Sequence, residues 1–256
     1  MKIATWNVNS VRARLERVLL WLRKQQPDIV CLQELKVVDE AFPCGALREA
    51  GYHCVVHGQK TYNGVAILSR SEPGNVERGM SDSVEDPQAR LVSAEIEGIR
   101  ILSAYVPNGE SVGSEKYAYK LAWMGRLRDH LARRFRPADP VVLCGDLNVA
   151  RDDHDVADPA AWAGTVLCHG DAREALERVR QWGFTDVFQK HHPDGGIYSW
   201  WDYRAGAFHR NDGLRLDHVF ATEPVAERCT AAELGRDERK GTKPSDHAPV
   251  IAVFDD

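Results

Sequence analysis

The chain has 256 residues, 43% of them hydrophobic and 28% charged, the composition of a soluble globular domain rather than of a disordered or membrane-spanning chain. Lys and Arg total 33 against 38 Asp and Glu, a formal net charge of −5. That balance excludes a protein that coats nucleic acid by uniform positive charge and leaves room only for a local basic groove. No apolar run approaches the roughly 18 residues of a membrane span, and MKIATWNVNS lacks the regions of a secretory signal, so a cytoplasmic location is expected.

In chain order, Lys2–Trp6 reads as a strand. Asn9 or Ser10 can cap a helix with the apolar face Val11, Leu15, Val18, Leu19 and Leu22, which Pro27 stops. Asp28–Leu32 is a nearly continuous apolar run, the pattern of a strand buried on both faces. A helix is expected near Glu40–Ala50, then strands at Cys54–Val56, Gly64–Ser69, Leu91–Ile96 and Ile99–Val106. A helix near Ser114–Phe135, a strand at Val141–Cys144, a helix near Ala172–Trp182 and strands at Leu214–Ala221 and Val250–Phe254 follow. Asn, Gly, Pro and Asp clusters predict loops at 70–88, 107–113, 151–170, 191–196 and 236–244. Alternating strands and helices, with no long linker or short repeat, predict one α/β domain over residues 1–256.

The cysteines (Cys31, Cys44, Cys54, Cys144, Cys168, Cys229) are far apart and form no C-x-x-C pair, which argues against structural zinc and a disulfide framework. They are expected to be reduced, small apolar residues. The adjacent His191 and His192 precede Pro193 and are expected to be solvated.

Several strand-like runs end in acid or amide side chains: IATWN at Asn7, IVCLQE at Glu34, VVLCGDLN at Asp146 and Asn148, and LRLDH at Asp217. Ser245, Asp246 and His247 stand just before the last apolar run. An acid at a strand end is ordinarily a turn or cap residue. Sites in α/β sheets form beyond strand ends, however, so this set can converge. Glu34, Asp146, Asp217 and Asp246 in one pocket would raise one another's pKa unless a cation sat among them. Oxygen ligands of this type suit Mg²⁺ or Mn²⁺, which polarises a phosphoryl oxygen. Phosphate-cradling glycine loops, the G-x-S-x-G elbow and the H-E-x-x-H zinc motif are absent from the sequence.

The chain also resembles the exonuclease III family of Mg²⁺-dependent DNA-repair nucleases, within the endonuclease/exonuclease/phosphatase superfamily. The resemblance rests on W-N-V-N-S from Trp6, L-Q-E-L-K around Glu34, G-Q-K-T-Y-N-G-V-A-I around Asn63 and Y-V-P-N-G from Tyr105. It continues through G-D-L-N at Asp146, S-W-W-D-Y-R from Ser199, G-L-R-L-D ending at Asp217 and P-S-D-H-A-P-V around His247, in the family's order.

The resemblance implies a four-layer α/β sandwich of two mixed sheets packed face to face, helices outside and the site at one end of the sheets. It implies Glu34 as principal metal ligand, with Asn7 and Asp246 nearby and Asp146, Asn148 and His247 completing the metal-site set. Asp146 would handle the proton of the attacking water or leaving oxygen, and Asn148 would hold it in place. His247, oriented by Asp217, would bind the scissile phosphate or act as base, and Tyr105 would donate to a phosphate oxygen. Asn9, Lys36, Lys60, Tyr62, Asn63, Arg90 and Asn108 match positions near the DNA backbone, and Trp200, Leu214 and Leu216 match apolar positions against an extrahelical sugar.

Taken without the motif, Trp200 and Trp201 read as core aromatics. The segment Pro107–Pro140 carries seven Lys and Arg, Lys120 among them, and reads as locally basic. The segment Trp162–Arg173 departs from the family pattern, and Leu167, Cys168 and His169 are expected to border the pocket and to hinder abasic sites more than 3′ ends. The implied activities are abasic-site cleavage, 3′-to-5′ exonuclease and 3′-phosphatase on double-stranded DNA, by a monomer that binds no membrane. An enzyme confined to 3′-end processing is the alternative. Less favoured is a non-enzymatic regulator like the catabolite repression control protein, which would not need this acid and imidazole set intact.

Overall fold

The computed structural model describes residues 1–255. β1 (Lys2–Asn7) leads into α1 (Val11–Gln25), and β2 (Ile29–Gln33) returns parallel to β1. α2 (Cys44–Glu49), β3 (His53–His57) and β4 (Val65–Ser69) follow, β4 pairing antiparallel with both β2 and β3. β5 (Gly74–Arg78), β6 (Leu91–Ile96) and β7 (Ile99–Tyr105) form an antiparallel ladder, and α3 (Glu115–Arg134) crosses to β8 (Val141–Asp146), parallel to β7. Then come α4 (Pro159–Trp162), α5 (Gly170–Arg180), β9 (Phe184–Asp186), α6 (Val187–His191) and α7 (Ala207–Arg210). β10 (Asp217–Thr222), α8 (Glu223–Ala226), β11 (Cys229–Leu234) and β12 (Val250–Phe254) close the order.

The strands make two six-stranded mixed sheets, ordered β11-β12-β1-β2-β4-β3 and β5-β6-β7-β8-β10-β9. Period-two alternation sorts their side chains into layers. Ile3, Cys31, Ile67, Ile101, Val142 and Val219 meet between the sheets. Ala4, Trp6 and Leu32 face outward with Val18, Trp21 and Leu22 of α1 and Leu47 of α2. On the opposite outer face, Leu102, Leu143 and Phe220 pack with Trp123 and Leu127 of α3 and Leu176 of α5. The result is the expected four-layer sandwich. The α1 cap is Ser10, whose hydroxyl accepts from the Ala13 N–H, and Gln26 ends the helix in the left-handed region before Pro27. All six cysteines are free. Among the described residues no helix is long and apolar enough to cross a membrane.

Several local expectations need correction. The helix expected over 40–50 is split by Pro43: a 3₁₀ turn covers Asp39–Ala41 and α2 begins at Cys44. β5 lies in a stretch read as loop, and its mostly exposed residues lack the apolar alternation that marks a strand. β9, only three residues long, and the alanine-bearing β11 went unrecognised for similar reasons. The strand expected from Leu214 starts at Asp217, because Arg215 turns into a buried ionic cluster. His191 and His192 are half-buried rather than free in solvent: their Nε2 atoms lie 3.2 and 2.7 Å from the carbonyls of Cys229 and Ala232, docking α6 on β11. Lys120 is not part of a basic surface, being fully buried.

The ionic cluster ties the loop after β8 to β9 and β10. Arg215 donates to both carboxylate oxygens of Asp155 at 2.6 and 3.0 Å and to Asp186 at 2.9 Å, with all three side chains buried. Removing one member of such a cluster leaves its partners' charges uncompensated in a dry environment. Arg215→Met is therefore expected to lose about 3–5 kcal/mol in urea unfolding. A loss like that of a surface pair, about 1 kcal/mol or less, would contradict this account.

Candidate active site

The topology gathers six strand ends at one edge of the sandwich. Asn7 ends β1 and Glu34 follows β2, while Tyr105 and Asp146 end β7 and β8. β10 and β12 run the other way, so Asp217 at the start of β10 and Asp246–His247 before β12 arrive at the same edge. Tyr105, Asp146 and Asp217 are direct cross-strand neighbours. This close lateral pairing depends on Gly145, which has φ +154° and opposes Ala104: a Cβ there would sit 1.8 Å from the Ala104 carbonyl oxygen.

Backbone strain concentrates here. Asn9, Ser10, Glu34, Lys36, Asn63 and Asn148 all have φ between +43° and +85°, a conformation that costs a non-glycine residue about 1–3 kcal/mol. Surrounding hydrogen bonds over-determine it. Ser10 N–H donates to Glu34 O at 2.8 Å, Leu35 N–H to Gly64 O at 3.2 Å and Lys36 N–H to Asn63 O at 3.0 Å. The Ser245 hydroxyl donates to Asn7 O at 2.7 Å, and Trp6 Nε1 donates to His247 O at 3.1 Å.

Asn7, Glu34, Tyr105, Asn108, Asp146, Asn148, Leu167, Trp200, Leu216, Asp246 and His247 line one cleft of about 180 Å³. Asn7 Nδ2 donates to Glu34 Oε2 at 3.0 Å and to Asp146 Oδ2 at 2.9 Å, joining carboxylates from different sheets. Lys36 Nζ lies 2.9 Å from Glu34 Oε1 and donates to Asn9 Oδ1 at 2.6 Å; Asn9 in turn donates to Asp246 Oδ1 at 2.9 Å. Trp200 Nε1 holds the other Asp246 oxygen at 3.0 Å. Asn148 donates its N–H to Asp146 Oδ1 at 3.0 Å and its amide to Val106 O at 2.9 Å, while Asn108 donates to Asn148 Oδ1 at 3.2 Å. His247 Nδ1 lies 2.7 Å from Asp217 Oδ2, and its Nε2 is 3.7 Å from Asp146 Oδ2.

The electrostatics follow from burial and proximity. Burial pushes the Asp146 carboxyl up to about 7; charged His247 opposes the rise and Asp217 adds to it. Burial alone would lower the His247 pKa, but the carboxylates of Asp217 and Asp146 outweigh it and raise it to about 10. His247 is thus a cation at neutral pH, with Nδ1–H committed to Asp217 and Nε2–H facing the cleft. For Asp246, burial is outweighed by His247 and by the hydrogen bonds from Asn9 and Trp200, which hold it below the usual carboxylate range. Burial, then the charges of Glu34 and Asp146, keep the Tyr105 hydroxyl protonated well above its ordinary value.

Asp146, Asp217 and His247 offer ligand atoms within 4.8 Å of one another, a candidate metal site. One Asp217 oxygen is already engaged by His247, and the other is buried without a hydrogen-bond partner. The wider donor set fits a hard divalent cation. Glu34, Asp146 and Asp246 face one small cleft, and the raised pKa of Asp146 marks a carboxylate short of positive charge.

Most residues expected in the site are there, some in other roles. Leu216 and Trp200 line the cleft, whereas Leu214 is completely buried, bridged to Trp200 and Val156. Trp201 belongs to the core, as expected, and Trp200 does not share that fate. An adjoining groove of about 650 Å³, sharing Tyr105 and Asn108 with the cleft, contains Tyr62, Asn63 and Arg90. Arg90 stacks over the Tyr105 ring at 4.8 Å and donates to its carbonyl at 3.1 Å. Lys60 is exposed and lines neither the cleft nor this groove. Within the 162–173 segment only Leu167 reaches the cleft. His169 caps α5 through Nδ1 and meets Tyr117 edge-on, and Cys168 is buried.

Two packed mixed sheets with acids, amides and a charged imidazole at one edge define a phosphoesterase of the endonuclease/exonuclease/phosphatase type, and the model of the Endonuclease/Exonuclease/phosphatase family matches residues 4–247. Among curated proteins, the chain is 36% identical to the exodeoxyribonuclease III of Haemophilus influenzae, covering 99% of this chain and 100% of that one. Among solved structures, it is similar to an AP endonuclease from Archaeoglobus fulgidus, with 44% identity, a TM-score of 0.97 and full coverage of both chains. A 3′ phosphatase from Neisseria, bound to product DNA hairpin, is 41% identical at a TM-score of 0.96, covering 100% of this chain and 99% of that one. The chain belongs to the exonuclease III and AP endonuclease family of DNA-repair nucleases.

Proposed function

We propose that this protein is a Mg²⁺-dependent repair nuclease, with Mn²⁺ as a workable substitute, that hydrolyses phosphoesters at abasic sites and at the 3′ ends of double-stranded DNA. The observation that carries this reading is the convergence of Glu34, Asp146, Asp246 and the Asp217-locked His247 on one cleft beside a groove holding Arg90 and Tyr62. Glu34, with Asp246 and Asn7 beside it and Asp146, Asn148 and His247 around it, would hold the cation. When bound, it supplies Lewis-acid stabilisation of a phosphoryl oxygen and neutralises the carboxylates.

The chain's own groups do the rest. Asp146, held by Asn7 and Asn148, accepts the proton of the attacking water. His247, charged at neutral pH, donates through Nε2 to a phosphate oxygen as charge develops there. Tyr105, protonated throughout, donates to a second. Lys36, Lys60, Tyr62, Asn63, Arg90, Asn9 and Asn108 contact the DNA strand, while Trp200 and Leu216 pack against the sugar. In this reading a single domain acts as a monomer.

A second reading, 3′-end processing with weak abasic-site cleavage, is favoured by Leu167. Its side chain shares the cleft with Trp200, against which Trp162 packs edge-on at 5.7 Å, so the sugar side of the cleft is narrowed. The test uses 5′-labelled duplexes bearing an internal abasic site, a 3′-phosphate at a nick or a recessed 3′ end, each with Mg²⁺ or with EDTA. Metal-dependent product on at least one duplex is expected, and none on any would sink the nuclease reading. Product at 3′ ends alone, with incision of abasic sites restored by Leu167→Gly, supports the second reading.

A further inference from the structure

Lys120 sits in the second turn of α3 and is fully buried. Its ammonium donates to three backbone carbonyls and to no carboxylate: Asn108 O at 3.0 Å, Asn148 O at 2.7 Å and Val166 O at 2.6 Å. All three donors of the ammonium are therefore used. The carbonyls belong to three separate loops, after β7, after β8 and before α5. Each loop delivers a side chain to the cleft, namely Asn108, Asn148 and Leu167, the last being the immediate neighbour of Val166. The stem is held closely, since a Cβ on Gly109 would lie 3.1 Å from Lys120 Cδ. Burial draws the Lys120 pKa down to about 7, with Asp146 acting against the fall. An apolar side chain would fill this space without that desolvation penalty. What it lacks is the ability to hold three carbonyls at one point.

We propose that Lys120 is a positioning residue that fixes Asn108, Asn148 and Leu167 relative to one another, and that through Leu167 it sets the balance between abasic-site incision and removal of 3′-terminal groups. This rests on the nuclease reading above. The ammonium makes no contact with substrate; it acts through backbone it holds. Loss of the three bonds moves Asn148 away from Asp146, which slows the chemical step, and loosens the Val166–Leu167 loop, which widens the sugar side of the cleft.

The test compares wild type, Lys120→Met, Leu167→Gly and the double variant on the abasic-site and 3′-phosphate duplexes, with circular dichroism as the check on folding. For Lys120→Met, kcat on the 3′-phosphate duplex is expected to fall by about 10- to 100-fold with KM nearly unchanged, the effect of misplacing a reacting group by an ångström or less. The ratio of abasic-site incision to 3′-phosphate removal is expected to rise several-fold, and this rise is expected to vanish in the Leu167→Gly background. Lys120→Gln, which keeps an amide donor on a shorter stem, replaces the Met variant if that one does not fold. An unchanged ratio, or a rise of the same size with and without Leu167, would overturn the proposal. So would failure of both Lys120 variants to fold, which would leave Lys120 a role in fold support alone. Absence of metal-dependent product from wild type is the separate outcome that overturns the nuclease reading, and this proposal with it.

Discussion

Asp146→Asn is expected to lower kcat by about 10³-fold or more while leaving DNA binding within a few-fold of wild type. Asparagine has the same shape, and its one carbonyl oxygen keeps one of the two hydrogen bonds that Asp146 accepts on separate oxygens, from the Asn7 amide on Oδ2 at 2.9 Å and from the Asn148 N–H on Oδ1 at 3.0 Å. What disappears is the carboxylate that burial raises to about 7 and to which the proposed mechanism gives the proton of the attacking water. His247 is poorly placed to substitute, because the carboxylate of Asp217, the foremost of the charges that raise its pKa, is still in place and holds its proton on. The same change should also flatten the dependence of stability on pH near neutrality, against the cost of the one buried hydrogen bond that is lost. The sign follows from linkage: Asp146 has a folded pKa of about 7 against 3.8 unperturbed. The folded state therefore binds the extra proton between those values, and stability is lost as pH rises through the window. Asparagine does not titrate, so that loss is absent. Kinetics on a 3′-phosphate duplex and thermal unfolding at pH 7 to 8 check both halves. Activity within tenfold of wild type would move the role of base to another group.

Asp217→Asn is expected to cost about 10²–10⁴-fold in kcat and to change the pH profile at its alkaline end. Asp217 is the foremost of the charges that keep His247 protonated, and it fixes which ring nitrogen faces the cleft. In wild type, the His247 proton is lost only as pH approaches about 10. Without the Asp217 carboxylate, that limb should move toward the ordinary imidazole value of 6.5, leaving much of the population without a donor at neutral pH. The stability contribution has the same sense: the raised pKa favours the folded state fully below 6.5 and fades as pH rises through about 10. Rate profiles between pH 6 and 10 decide the matter. A profile that keeps its alkaline limb would show that Asp217 does not control the imidazole.

Much of this site was legible before any fold was known, for a physical reason. Asn7, Glu34 and Asp146 each stand where an apolar run stops, and parallel pairing of β1 with β2 and of β7 with β8 brings those stops to one edge. Asp217, read as the end of LRLDH, instead opens β10 and meets them because β10 runs antiparallel to β8. The illegible parts share a different character. Lys120 looked like one more basic residue on a solvated helix face, since nothing local encodes three carbonyls converging from loops up to 46 residues away. Leu214 and Leu216 share a strand-like period, yet Leu214 is turned into the core by its bridges to Trp200 and Val156. His191 and His192 could not be matched with the carbonyls of β11 while β11 itself went unrecognised. The family resemblance places His169 at the pocket border, but as the cap of α5 its ring is held at Asp171 and Tyr117.

The pairing of β12 with β1 has a consequence for how the protein is made. During synthesis, β1 emerges early with Asn7 at its tip, and β2 soon follows with Glu34 beyond it. β1 must then wait for β12 to cover its other edge, as in the finished register from Lys2 opposite Val253 to Thr5 opposite Val250. Asp246 and His247, which precede β12, arrive at the same late moment. A ribosome-bound chain that already contains Asp146 and the whole second sheet therefore has neither Asp246 nor His247 at the cleft. Closure of the first sheet and delivery of Asp246 and His247 to the cleft are thus one structural event, because those residues run directly into β12.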